Sequence, residues 1–201
     1  MLVSAEAPSL SRRAIVRLPS GLLLTIRAVV TRDAAALQDY VRALSAASRY
    51  ARMLGATSEL PPSELQAILH PIDADHVALV ATLMIDGVER IVGEARLVHD
   101  PETERVELAL SVDDRWQKQG LGLALFDDLQ RRAAEIGPVD LFGDTLRTNA
   151  AMIGLARRSG FALLATPGDW RLTRFQKHID RSSILPSRLP IIADPIGRLA
   201  L

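Results

Sequence analysis

Between residues 105 and 136 the chain commits itself more tightly than anywhere else. RVELALSV, at 105–112, alternates Glu107, Ala109 and Ser111 against Val106, Leu108, Leu110 and Val112, as a strand with two different faces requires. WQKQGLG follows, and Leu123, Leu125, Phe126, Leu129, Ala133 and Ile136 then recur at helical spacing until Gly137-Pro138. A strand that turns through glycines into a strong helix leaves the first backbone N–H groups of that helix without intrahelical partners. Gly120 and Gly122 let the backbone come close to a ligand, and the helix dipole adds about half a positive charge at its N-terminus. This corner is therefore a candidate anion site, with Lys118 and Arg115 adding charge beside it. A glycine-softened helix start with no ligand is an equally common use of G-x-G. The loop is not a P-loop, which needs GKS or GKT. It is not a dinucleotide fingerprint either, because Leu125 and Phe126 stand where a third glycine belongs.

The flanking pattern builds a sheet around that corner. AIVRLPSGLLLTIRAVV reads as two strands joined at Pro19-Ser20-Gly21. Thr31 or Asp33 is placed to cap a helix carrying Leu37, Tyr40, Val41 and Leu44, with short helices expected around Ser48 to Leu54 and at LQAIL after Pro61-Pro62. HVALVATLMI and ERIVGEARLVH form a hairpin across Asp86-Gly87. Past the long helix come the strand VDLFGDTL, a helix AAMIGLARRS capped by Thr148 or Asn149, the strand FALLAT, and a last strand WRLTRFQKHI.

Lys plus Arg and Asp plus Glu each number 24, so no net field draws the chain to nucleic acid or to an anionic membrane. The longest apolar run near the start, Gly21 to Ile26, is too short to span a bilayer, which takes about 20 residues. The absence of cysteine removes disulfides, thiolate metal sites and a cysteine nucleophile, and fits a reducing, cytoplasmic setting. His70, Asp73, Asp75 and His76 crowd metal-ligand types together, but proline and irregular spacing suit a loop, and no metal site is expected. Trp116 and Trp170 read as packing or interface groups.

Gln117-Lys118-Gln119-Gly120-Leu121-Gly122 matches the signature Q/R-x-x-G-x-G/A, and NAAMIGLARRSGF, from Asn149 to Phe161, matches a second block in which Asn opens a helix ending in Gly-Phe. On these two blocks the chain resembles the GNAT superfamily of acyl-CoA-dependent N-acyltransferases. LSAASRYAR, IVGEARL and VELALSVDDRWQKQGLG make it similar, more narrowly, to bacterial Pat-like protein lysine acetyltransferases, over roughly Leu18 to His178. The resemblance implies a mixed α/β (α+β) GNAT fold, with a central, mostly antiparallel sheet splayed into a V between the strands near Val106–Val112 and Val139–Thr145, and helices on both sides.

It also implies acetyl-CoA as co-substrate and a primary amine as acceptor, a protein lysine or a small molecule, with a homodimer left open. The pantetheine arm would bond the backbone of Leu110 and Val112, and Asn149 would approach it. The pyrophosphate would rest on amides of Gln117, Lys118, Gln119, Gly120, Leu121, Gly122 and Leu123. Glu107 is the expected base, since an amine attacks only when neutral and a lysine starts near pKa ~10.4; the alternative is a solvated strand acid. The Leu110 N–H is the expected oxyanion donor. Ala156 stands where many relatives carry a tyrosine, which leaves the general acid unassigned and keeps open a non-catalytic acyl-CoA-sensing module. Arg157 and Arg158 suit a 3′-phosphate or a solvated helix end. The expected organisation is a loose leader at 1–12, an acetyltransferase domain at 13–180 and a proline-containing tail at 181–201.

Overall fold

The computed structural model describes residues 13–70, 76–100, 103, 105–180, 182 and 190–193. The leader, most of the expected tail and residues 71–75 of the His70–His76 loop lie outside the described residues. Among the described residues nine strands form one sheet: β1 (Ala14–Arg17), β2 (Leu23–Ala28), β3 (Val77–Ile85), β4 (Val88–Asp100), β5 (Arg105–Val112), β6 (Val139–Leu146), β7 (Ala162–Ala165), β8 (Leu172–Ile179) and β9 (Ile191–Ala193). Their spatial order is β7-β8-β6-β5-β4-β3-β2-β1-β9. Asp86 and Gly87 both take positive φ, 51° and 77°, the turn that the twist of β3 and β4 demands.

Every pairing is antiparallel except β5 with β6, which the helix α4 (Leu121–Ile136) joins by a crossover. Leu125, Phe126 and Leu129 of α4 are fully buried, and Phe126, Phe161 and Phe175 interlock with centroids 5.0–6.2 Å apart. The opposite face of the sheet holds a second core of Leu37, Tyr40, Val41, Leu44, Leu60 and Val80. It is built by α1 (Ala34–Ala43), α2 (Ala46–Met53) and α3 (Pro62–Leu69). The fifth helix, α5 (Ala150–Arg158), leads into β7.

Three expectations change. Asp33 stands at the N-cap of α1 but makes no side-chain cap bond: residues 31–33 make a 3-10 turn, and its carboxylate is turned onto Arg27 (2.7 Å) and the Val30 N–H (2.9 Å). The last long strand starts at Leu172 rather than Trp170, because Asp169 holds the Arg171 N–H (2.9 Å) and guanidinium (2.6 Å) in a turn that leaves Trp170 83% exposed. Finally, the segment read as tail contributes a strand, β9, on the free edge of β1.

Parallel pairing of β5 with β6 lasts only from Arg105↔Asp140 to Glu107↔Phe142, and the two strands then separate. Gly143 marks the separation point. A Cβ there would lie 2.3 Å from Phe175 Cζ and 2.6 Å from the Leu108 carbonyl oxygen, so only glycine lets β6 sit between them. Gly143→Ala is expected to destabilise the fold by about 1–3 kcal/mol through overpacking, read as a lower denaturant midpoint with unchanged m-value.

Candidate acyl-donor and acceptor cleft

Beyond Glu107 the gap between β5 and β6 opens into a cleft of about 820 Å³, within the usual range for small-molecule sites. The alternation of backbone bonds shows what β5 presents to it. The Asp113 N–H bonds the Val92 carbonyl (2.9 Å), which makes Val112↔Gly93 a non-hydrogen-bonded pair of the β4–β5 ladder. Val112, Leu110 and Leu108, at steps of two, therefore turn their own N–H and C=O groups away from β4 and into the cleft. All three line it; in the Glu107↔Phe142 register the Leu108 N–H meets the Phe142 carbonyl, and beyond that β6 offers no partner. A strand edge left open inside a molecule is costly unless something pairs with it. Leu110 and Val112 thus sit where a strand-like ligand would bond.

At the far end of β5 the chain turns through a 3-10 turn, Asp114–Trp116, into the glycine loop. Gly120 takes φ 94° and Lys118 φ 59°, two left-handed residues that curl the loop over the start of α4. Helix α4 begins its bonding with the Ala124 N–H donating to the Gly120 carbonyl (3.0 Å), so the amides of Leu121, Gly122 and Leu123 come before the ladder begins. Leu121 is buried as the helix anchor, and Gly122 leaves only ordinary contact room towards Leu155 and Val112. Lys118, Gly120, Gly122 and Leu123 line the cleft. The residues fit an extended acyl donor ending in phosphates: open strand edge first, helix N-terminus after it.

The side chains of the signature do other work. Gln117 Nε2 donates to the Val112 carbonyl (3.1 Å) and to Ser48 Oγ (3.4 Å), while its own N–H is turned to the Asp114 carbonyl (3.5 Å). Gln119 Nε2 donates to the Arg115 carbonyl (3.0 Å). Arg115 is held by Asp113 (2.6 Å), so the charge it was expected to lend the loop is already paired. Asn149 lines the cleft but accepts the Met152 N–H (3.1 Å) as the cap of α5 and donates to Thr145 (3.1 Å). Of the two arginines ending α5, Arg158 lines the cleft and Arg157 does not. Ala156 is fully buried in the core, so this position presents no group to the cleft.

Helix α2 roofs one side of the opening, and its anchors were not legible in sequence. Asp114 accepts three bonds from its start: the Ser45 N–H (2.8 Å), Ser45 Oγ (2.9 Å) and Ser48 Oγ (2.6 Å). At its other end Arg52 forks onto Glu94 of β4 through Nε and through Nη2 (3.3 Å). Glu94 also accepts Arg96 Nε (3.1 Å) and Ser111 Oγ (3.1 Å), and Tyr40 bonds Ser111 (2.8 Å). Burial alone would raise the Glu94 carboxyl, but Arg52 and then Arg96 outweigh it and hold it down at about 2. Glu94 is ionised and no base at neutral pH.

Glu107 behaves differently. It is the last β5 residue paired to β6 and lies on the α2 face, opposite Val98 in register. The side chain is exposed, yet desolvation first and the neighbouring Asp144 second raise its pKa above the ordinary carboxylate range. Arg52 and Arg174 pull the other way. Asp144, which lines the cleft, is itself fixed by Arg174 (2.6 and 3.0 Å) and Thr166 (2.8 Å). Among the described residues no group of three or more His, Asp or Glu side chains is placed to hold a metal.

The family model described as Acetyltransferase (GNAT) family matches residues 42–161. An acetyltransferase of Pseudomonas aeruginosa is 28% identical over 152 residues, covering 76% of this chain and 82% of that protein. The crystal structure of the GNAT domain of S. lividans PAT superposes with a TM-score of 0.75 at 22% identity, covering 83% of this chain and 97% of that one. A phosphinothricin acetyltransferase from Sinorhizobium meliloti, in complex with AcCoA, gives a TM-score of 0.61 at 21% identity, over 78% and 89% of the two chains.

Proposed function

The chain belongs to the acetyltransferase (GNAT) family and is an acetyl-CoA-dependent acyltransferase, and from that premise we propose that it acetylates the side-chain amine of a protein lysine by direct attack on the thioester, with Glu107 as base. The observation that carries the reading is the open backbone edge of β5 at Leu110 and Val112, running straight into the left-handed glycine turn at Lys118 and Gly120. In this reading the pantetheine arm lies along that edge as a strand. Its pyrophosphate meets the amides of the Gln117–Leu123 loop, above all those of Leu121, Gly122 and Leu123, with Lys118 beside them.

The amine enters from the α2 face, where Glu107 takes its proton as the new C–N bond forms. The Leu110 N–H, turned into the cleft, donates to the carbonyl oxygen as negative charge gathers on it. Asn149 holds the N-terminus of α5 and Thr145 beside the thioester arm. A polypeptide acceptor is supported by apolar side chains exposed on the sheet face that carries Glu107, Val98 on β4 and Leu164 on β7.

The test is thiol release from acetyl-CoA with free lysine, small amines, lysine-containing peptides and intact proteins as acceptors. The expected result is a kcat/KM at least about 100-fold higher for peptide or protein lysine than for free lysine, near 3 kcal/mol of added transition-state binding. Preference for a small amine would overturn the acceptor. Tight CoA binding with no thiol release from any acceptor would return the chain to a sensing role. Gly120→Glu is expected to abolish CoA binding in equilibrium titration while the fold persists, because a side chain at φ 94° intrudes on the phosphate corner.

A further inference from the structure

We propose that Tyr50 is the general acid that protonates the departing CoA sulfur, an assignment that rests on the acetyl-transfer reading above. When the tetrahedral intermediate collapses, the C–S bond breaks and its electron pair goes to sulfur, while the proton taken from the amine resides on Glu107. The sulfur needs a proton from a group whose pKa lies near or above that of a thiol, ~8.5. Ala156 supplies none.

The lining of the cleft leaves few donors. The guanidiniums of Arg52 and Arg158 do not deprotonate. Asp114 and Asp144 are hydrogen-bonded carboxylates that already accept from serines or from Arg174. The serine and threonine hydroxyls are far weaker acids than a phenol. Lys118 belongs to the glycine loop, at the phosphate end. Tyr50 is the phenol among the described lining residues, 40% exposed and so reachable by ligand.

Its place follows from the two anchors of α2. Ser48, pinned to Asp114 past the end of β5, and Arg52, pinned to Glu94 opposite Ser111, lie one turn apart on a single flank of the helix. Tyr50 is two residues from each, about 200° round the helix from that flank. It is therefore turned off the β4–β5 side and overhangs the gap towards β6. Arg171, whose backbone carbonyl accepts the Arg147 N–H just past the end of β6, interacts electrostatically with it. Water restores the proton after donation. The small residues Ala47 and Ala51 of the same helix leave room for the thioester arm to pass beneath the ring.

Tyr50→Phe keeps the ring and removes only the proton. With acetyl-CoA its kcat is expected to fall by about 100-fold, the low end of general acid catalysis, while the Kd for CoA stays within about twofold. The decisive arm uses the selenoester of CoA as donor. A selenol is a stronger acid than a thiol and departs without protonation, so the variant should recover to within about threefold of the parent with that donor. Loss of rate by the same factor with both donors would overturn the assignment, as would a kcat with acetyl-CoA within about twofold of the parent. Glu107→Gln, run alongside, should stay slow with the selenoester too. A parent that transfers acetyl to no amine from either donor would overturn the function and this assignment together.

Discussion

Replacing Glu107 by glutamine is expected to lower kcat/KM for the amine by about 10²–10³-fold while leaving CoA affinity and the unfolding midpoint unchanged. The substitution is nearly isosteric at an exposed strand position, and the carboxylate makes no hydrogen bond to a described residue that the fold would miss. What disappears is proton acceptance. Desolvation and the charge of Asp144 raise the Glu107 pKa above the ordinary glutamate value of 4.5, which strengthens it as a base. The base works only when deprotonated, so the acid limb of the parent's kcat profile should fall above that value. Asp144→Asn removes a like charge and should move the limb to lower pH, while Glu107→Gln should erase it. A variant as fast as the parent at neutral pH would show Glu107 to be a solvated strand acid.

How much of this was legible in the chain depended on whether a feature was local. The Asp86-Gly87 hairpin, the Asn149 cap and the glycine corner each rest on residues adjacent in sequence, and each is where the pattern put it. The V between β5 and β6 was implied by family resemblance; alternation alone gives a strand but cannot say where its pairing stops. Gly143 is the physical marker, and in sequence it was one glycine within a strand. At Asp33 and before Trp170 an arginine engages the local aspartate, Arg27 that of Asp33 and Arg171 that of Asp169, so the first makes no cap bond and the second closes a turn where a strand was expected.

The role of LSAASRYAR was the larger gap. Its partners lie far along the chain: Asp114 is 66 residues from Ser48, and Glu94 is 42 from Arg52. A signal existed in the charged residue inside the otherwise apolar IVGEARL, though it named no partner. The structure also alters what the signature glutamine does. Gln117 ties the end of β5 to Ser48, so the block that shapes the phosphate corner and the helix that roofs the acceptor side share one hydrogen-bonded seam through Asp114 and Gln117.

Glu94→Gln is expected to cost about 3–5 kcal/mol of stability, the largest loss for a single substitution in this seam. Glu94 is 6% exposed and Arg52 11%, so the change would leave the Arg52 charge buried without its carboxylate, whereas Arg96 keeps Glu64 at 2.8 Å. Breaking one side of a buried pair costs far more than an exposed bridge is worth, because the orphaned ion cannot return to water without moving its helix. The pH dependence has a definite sign. The folded pKa of about 2 lies below the ordinary 4.5, so this stabilisation is fully present above about pH 4.5 and is lost as pH falls towards 2. The unfolding free energy of the parent, read from denaturant curves, should therefore drop across that window by about 3 kcal/mol more than that of the variant, which has no carboxylate to protonate. Because α2 is held at this end by Arg52, the folded variant should also show a raised KM for the amine at nearly unchanged CoA affinity. Equal midpoints for parent and variant at pH 7 would mean that the Glu94 fork neither holds the helix nor shapes the acceptor side.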